Sequence, residues 1–215
     1  MPDLLIHPAL PGHDPAAPSI LAPWLAALPP SGRDLLALLP VTDVNAAGFH
    51  GLRALAGHAP SEAIGAIFCA DPFLRMHDAV QILKAAGIRR VTNFPTIQIV
   101  DGAAARGFDS AGLGLKREAE ILGLFVREGF EATGFATSAE SGAMLAREGV
   151  SSLVLHPGPA AADWRARAAA GHRMAQALRS LRHLTDLPLR LMRPDGYGPE
   201  LDAAQALADG VVRYG

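Results

Sequence analysis

The chain has 215 residues, half of them hydrophobic, with 22 Gly and 17 Pro, enough to bury one full core in a single domain spanning 1–215. A formal net charge of -2 and a pI near 6.4 leave no surplus of Lys and Arg to displace counterions, which excludes a nucleic-acid partner. No run reaches membrane-span length, the N-terminal stretch through His7 lacks a basic leader, and one cysteine, Cys69, cannot build an intrachain disulfide framework; the expectation is a cytoplasmic protein with no membrane partner and a buried, inert thiol.

Short apolar runs ending in Pro, Gly, Asp, Asn or His predict eight strands, at Asp3–His7, Asp34–Val41, Ile64–Ala70, Arg90–Asn93, Glu131–Ala136, Ser152–His156, Leu187–Met192 and Gly210–Arg213. Most are continuously apolar, as parallel strands buried on both faces require. The first third is rich in proline, and there only Ile20–Leu28 has helical spacing. Further on, Asp71-Pro72 reads as a helix start, followed by a helix through Met76, Val80, Ile82 and Leu83 that stops at Gly87. Lys116–Glu128 carries Ala119, Leu122 and Val126 on one face. Thr137-Ser138-Ala139-Glu140 has capping-box spacing, Trp164–Leu184 is one long amphipathic helix, and Asp202–Ala208 is the last.

Strands alternating with helices predict an α/β fold, a (β/α)8 TIM-like barrel reduced at its first unit and lacking the last helix, with an open doubly wound sheet as the alternative. Because the sequence stops at Gly215, directly after the eighth predicted strand, apolar surface over strands eight and one would have to be shielded by the N-terminal segment or by another subunit, and the expectation is a homo-oligomer.

The run from Asp71-Pro72-Phe73 through Asn93-Phe94-Pro95-Thr96 and Val100-Asp101-Gly102 to Gly112-Leu113-Gly114, Glu118 and Glu120 resembles the phosphoenolpyruvate hydrolase-like TIM-barrel family. Leu38-Leu39-Pro40-Val41-Thr42-Asp43-Val44-Asn45-Ala46 is similar to that family's segment after its second strand. The resemblance covers about Leu38–Gly158. It implies a barrel and a hydrolase or lyase of the phosphoenolpyruvate or phosphonopyruvate type, acting on a small keto acid or enol phosphate. Where the family has a histidine followed by two glycines, this chain reads Arg193-Pro194-Asp195-Gly196. That departure favours the alternative, a non-catalytic ligand-binding or regulatory subunit with a degenerate barrel.

In a barrel the C-terminal strand ends share one mouth, which here gathers Asp43, Asn45, Asp71, Asn93, Thr137, His156 and Asp195. Carboxylates Asp43, Asp71 and Asp195 together would suit Mg²⁺ or Mn²⁺, hard ions that favour oxygen ligands. Against that, Asp71 before Pro72 is also a good cap and Asp43 a good turn residue. His156 follows an apolar strand and is the candidate general acid or base, with Asp71 and Asp43 as the other catalytic candidates. Asn93 and Thr96, on the resemblance, would hold a substrate carboxylate or enolate together with Asn45, and Gly196 would give half of a phosphate cradle. Glu118 and Glu120 lie two apart on a helix, so at most one enters the site, and Glu120 is the candidate. The expected partner is a small carboxylate-bearing molecule.

Overall fold

A computed structural model describes residues 2–8, 18–30 and 32–215. Eight parallel strands close into a barrel in chain order: β1 Leu4–His7, β2 Ser19–Leu21, β3 Ala63–Ala66, β4 Arg90–Thr92, β5 Glu131–Ala136, β6 Ser152–Leu155, β7 Leu189–Met192 and β8 Gly210–Tyr214. The ring is sealed where Leu4 of β1 registers with Val212 of β8. Continuous apolar strands are what this closure demands, since one face meets the barrel interior and the other meets helices.

The second strand is not where the sequence pattern puts it. Asp34–Val41 forms a one-turn helix, α1 (Arg33–Leu36), followed by turns, and Ser19–Leu21 pairs between β1 and β3 instead. Leu and Ala are helix formers, and the run buries Asp34 and Ala37 three apart while exposing Leu35 and Leu39, a helical rather than an alternating pattern. In turn, Ile20–Leu28 is not one helix. Its first residues complete β2, and Pro23 then opens a 3-10 turn, Pro23–Ala27.

The other helices are α2 (Val44–Arg53), α3 (Met76–Ala86), α4 (Gly102–Ser110), α5 (Leu115–Arg127), α6 (Ala139–Arg147), α7 (Trp164–Leu184) and α8 (Asp202–Gln205). Helix α3 ends as expected at Gly87, whose φ of +83° suits a residue without Cβ. It begins later than expected, at Met76. Asp71 does not cap it; its Oδ1 accepts the Phe73 N–H at 2.8 Å and orders a turn instead. The capping box of α6 pairs Ser138 with Ser141 rather than using Thr137 and Glu140.

Two apolar layers result. The outer one, between strands and helices, includes Leu83, Leu122, Phe125, Leu153, Leu181 and Leu191, with Cys69 among them. Burial pushes the Cys69 thiol well above its ordinary range, so it is a packed, unreactive group. The inner one fills the barrel with Leu4, Ile6, Ile20, Ile64, Val154, Met192 and Val212, and the aromatic rings of Trp24, Phe94 and Phe135 close its top. Phe94 lies 5.7 Å from Trp24, 5.0 Å from Phe135 and 6.4 Å from Tyr214, centroid to centroid. On the outer face of β1, Leu5 is 40% exposed, whereas Val211 of β8 is buried. No helix of the described residues is long and apolar enough to cross a membrane.

Candidate functional site

The strand ends deliver the expected polar residues to one end of the barrel, where they fall into separate groups. At the loops after β2 and β3, the Asp43 carboxylate accepts the Ala46 N–H at 2.8 Å as the N-cap of α2. Asn45, buried on the same helix, ties α2 to the end of β3. Its amide donates to the Phe68 carbonyl at 3.0 Å and to Asp71 Oδ2 at 2.9 Å, and its oxygen accepts the Phe68 N–H at 2.9 Å. Asp43, Asn45 and Asp71 line one cleft of about 580 Å³ together with Val41, Phe68, Phe73 and Phe108.

The second group lies under the loop after β4. Asn93 brackets Phe135 of β5, donating to its carbonyl at 3.0 Å and accepting its N–H at 2.6 Å. Four donors converge on the fully buried Glu118 of α5: Asn93 Nδ2 at 3.1 Å, Thr96 Oγ1 at 2.7 Å, the Ile97 N–H at 2.8 Å and Gln98 Nε2 at 2.7 Å. Burial pushes this carboxyl up to about 7, since those hydrogen bonds recover only part of the lost hydration. Glu120 points the other way, exposed and 3.8 Å from Lys116 one turn earlier. The carboxylate that turns inward is therefore Glu118. Its signal was in the sequence: it shares an apolar stripe with Leu122 and Phe125, four and seven residues on.

The third group sits over the aromatic plug. His156 is 1% exposed; its Nδ1 accepts the Gly158 N–H at 3.0 Å, so the ring proton of the neutral imidazole is on Nε2. That Nε2 has no hydrogen-bond partner among the described residues and stands 3.8 Å from Asp34 Oδ1. The Tyr214 hydroxyl donates to the same Asp34 oxygen. Burial works to raise the Asp34 carboxyl, but the His156 imidazole, the Tyr214 hydroxyl and the Arg33 charge outweigh it and hold the group below its ordinary range. Burial, with Asp34 alongside, pushes the Tyr214 phenol up, so it remains a donor. The Arg33 guanidinium lies 3.7 Å from the centre of the Tyr214 ring and binds Asp195 Oδ2 at 2.5 Å. Asp34 was hidden because it opened the run Asp34–Val41 read as a strand, and Arg33 lay just before that run; Tyr214 escaped as well, although it shares an inward strand face with Val212.

Asp43, Asp71 and Asp195 are engaged by a helix cap, a turn and an ion pair respectively. Among the described residues no group of three or more His, Cys, Asp or Glu side chains is placed to hold a metal ion. The donor set thus does not fit Mg²⁺ or Mn²⁺ at these three positions. Gly196, with φ of +88°, shapes the turn that carries Asp195. Thr137 receives the Gln98 amide oxygen on its N–H at 3.3 Å.

A buried imidazole whose N–H has no partner among the described residues, a carboxylate held below its ordinary range and a guanidinium at the C-terminal mouth are a set able to polarise a carbonyl and accept a proton. In overall shape the chain is similar to a tryptophan synthase α-subunit from Pyrococcus furiosus, with a TM-score of 0.53 and 14% identity over 99% of this chain and 85% of that one, a likeness of fold alone. In sequence it is 30% identical over 146 residues to an uncharacterized protein of Sinorhizobium fredii, covering 68% of this chain and 74% of that protein. It is 32% identical over 130 residues, 60% of this chain, to a tomato (Solanum lycopersicum) protein described as a ToMV resistance protein, of whose length the match spans 17%. The description "phosphoenolpyruvate hydrolase-like" matches residues 31–191. The chain belongs to the phosphoenolpyruvate hydrolase-like family.

Proposed function

We propose that the protein is an enzyme of the phosphoenolpyruvate and phosphonopyruvate type that forms or consumes the enolate of a small 2-oxo acid at the barrel mouth. The carrying observation is His156, whose Nε2–H is buried, unpaired among the described residues and 3.8 Å from Asp34. In enolate chemistry negative charge develops on one oxygen while a proton leaves or joins the adjacent carbon. The Nε2–H of a neutral imidazole suits that oxygen, and ionised Asp34 suits the proton. His156 accordingly acts as a hydrogen-bond donor rather than the proton carrier its sequence position suggests, because the Gly158 N–H already occupies Nδ1. No step is routed through a metal.

The test is incubation of the protein in deuterated buffer with phosphoenolpyruvate, phosphonopyruvate, pyruvate and oxaloacetate, followed by proton and phosphorus NMR. Deuterium entering C3 or conversion of one compound is expected, and His156→Gln should slow it about 100-fold or more, the usual worth of one oxyanion donor. No change in any of the four compounds would sink the reading.

One feature supports the second reading, a non-catalytic ligand-binding barrel: Trp24, Phe94 and Phe135 fill the top of the barrel, while the open cleft lies to one side at Asp43 and Asp71. Thermal stabilisation by a carboxylate without turnover, lost in Asp71→Ala, would favour it.

A further inference from the structure

Arg33 is held like a binding residue, and its present anion is not. Its side chain is 17% exposed, with Nε donating to the Pro30 carbonyl at 3.2 Å and the guanidinium plane seated 3.7 Å from the Tyr214 ring centre. Stacking and a backbone hydrogen bond fix the orientation of the fork without using all its donors. Of the remaining donors, Nη2 donates to Oδ2 of Asp195 at 2.5 Å, from a side chain 59% exposed on the turn at Gly196. The nearby Arg193 is different. It is committed to Asp202 at 2.9 Å, to the Gly198 carbonyl at 2.7 Å and to Gln205, and so serves the loop before α8.

We infer that Arg33 is the seat for the carboxylate of the ligand, and that Asp195 is an internal stand-in which the ligand displaces. The seat adjoins the catalytic group in sequence and in space, since Arg33 precedes Asp34 and stacks on the tyrosine that donates to Asp34. A carboxylate held there sets the rest of a short 2-oxo acid over His156 and Asp34. The inference rests on the mouth being the place of chemistry. The chemical class is a carboxylate rather than a phosphate because the anion this guanidinium already holds, through one oxygen, is a carboxylate. Displacement costs little: a half-exposed ion pair is worth up to about 1 kcal/mol, equivalent to roughly five-fold in affinity.

Calorimetric titration of the whole chain with oxalate, and separately with inorganic phosphate, tests this without requiring turnover. The wild-type protein should bind oxalate more tightly than phosphate. Asp195→Asn should tighten oxalate about five-fold by removing the competitor, and Arg33→Gln should abolish binding. Unchanged or weaker oxalate binding in Asp195→Asn, wild-type binding in Arg33→Gln, or a preference for phosphate would each overturn the assignment. Failure to bind oxalate in a protein that still exchanges deuterium would remove the carboxylate seat and leave the enolate reading standing.

Discussion

Two buried carboxylates, Asp34 and Glu118, stand at the same end of the barrel and are driven in opposite directions. Glu118 has more hydrogen bonds, four donors on two oxygens, yet its carboxyl is pushed up to about 7. Asp34 has fewer, yet it is held below the ordinary carboxylate range. The difference lies in what surrounds each. The donors to Glu118 are neutral amides and a hydroxyl, whereas Asp34 faces an imidazole and the charge of Arg33. The donors to Glu118 recover only part of its lost hydration, whereas the His156 imidazole, the Tyr214 hydroxyl and, least of the three, the Arg33 charge together outweigh the burial of Asp34. Glu118 is thereby a fastener for the loop after β4, and Asp34 a group kept ionised for use.

The strongest way to break this contrast is to remove each carboxylate and measure stability. Glu118→Ala removes the acceptor shared by four donors, leaving the Thr96 hydroxyl and the Ile97 N–H without one among the described residues while Asn93 and Gln98 keep the Phe135 carbonyl, and should cost roughly 3–5 kcal/mol in urea unfolding at pH 7, more than Asp34→Asn costs. A smaller loss than in Asp34→Asn would remove the fastener role.

pH dependence sharpens the same point. Because the folded-state pKa of Glu118, about 7, lies above its unfolded value near 4.5, the folded state holds this proton more tightly. Its contribution to stability is full below about pH 4.5 and is lost as pH rises toward 7, on the order of 3 kcal/mol in all. Urea midpoints measured from pH 4 to 8 should fall less in Glu118→Gln than in the wild type; identical slopes would count against the raised pKa. Asp34, shifted down, has the opposite sign: its stabilisation is present above its unfolded value near 3.8 and fades as pH falls through the lower folded one.

Smaller effects belong to the residues around the cleft. Asn45→Ala should cost about 1–3 kcal/mol, because it leaves the Phe68 N–H without its partner and removes one of two donors to the Phe68 carbonyl, which keeps the Asp71 N–H at 3.3 Å. Asp43→Ala should cost about 1 kcal/mol as a lost helix cap. Glu120→Ala should change thermal stability by no more than about 0.5 kcal/mol, its pair with Lys116 being exposed.

The barrel was legible where the pattern was long and clearly bounded, as at β5, which follows Gly129, and α7, which lies between the caps Asp163 and Thr185, elements whose ends the sequence pattern places at Glu131–Ala136 and Trp164–Leu184. It was illegible at β2, a three-residue strand followed closely by Pro23, where no window is long enough to show a period. That one displacement hid half the mouth, because it turned Asp34 from a residue of a βα segment into the first residue of a strand and left Arg33 on the wrong side of it. His156 and Asn93 were visible as polar groups at strand ends, but their partners were not. Which donor meets which acceptor across the barrel depends on the ring closing, and Tyr214 reaches Asp34 across 180 residues of chain.

The account rests on Asp34 and His156 serving chemistry and Glu118 serving structure. The most direct measurement is deuterium entry into C3 of pyruvate or oxaloacetate, by proton NMR, for the wild type, Asp34→Asn and Glu118→Gln under conditions where all three are folded. Exchange reduced about 100-fold or more in Asp34→Asn and within a few-fold of wild type in Glu118→Gln is the predicted result. Wild-type exchange in Asp34→Asn, or its loss in Glu118→Gln alone, would contradict it.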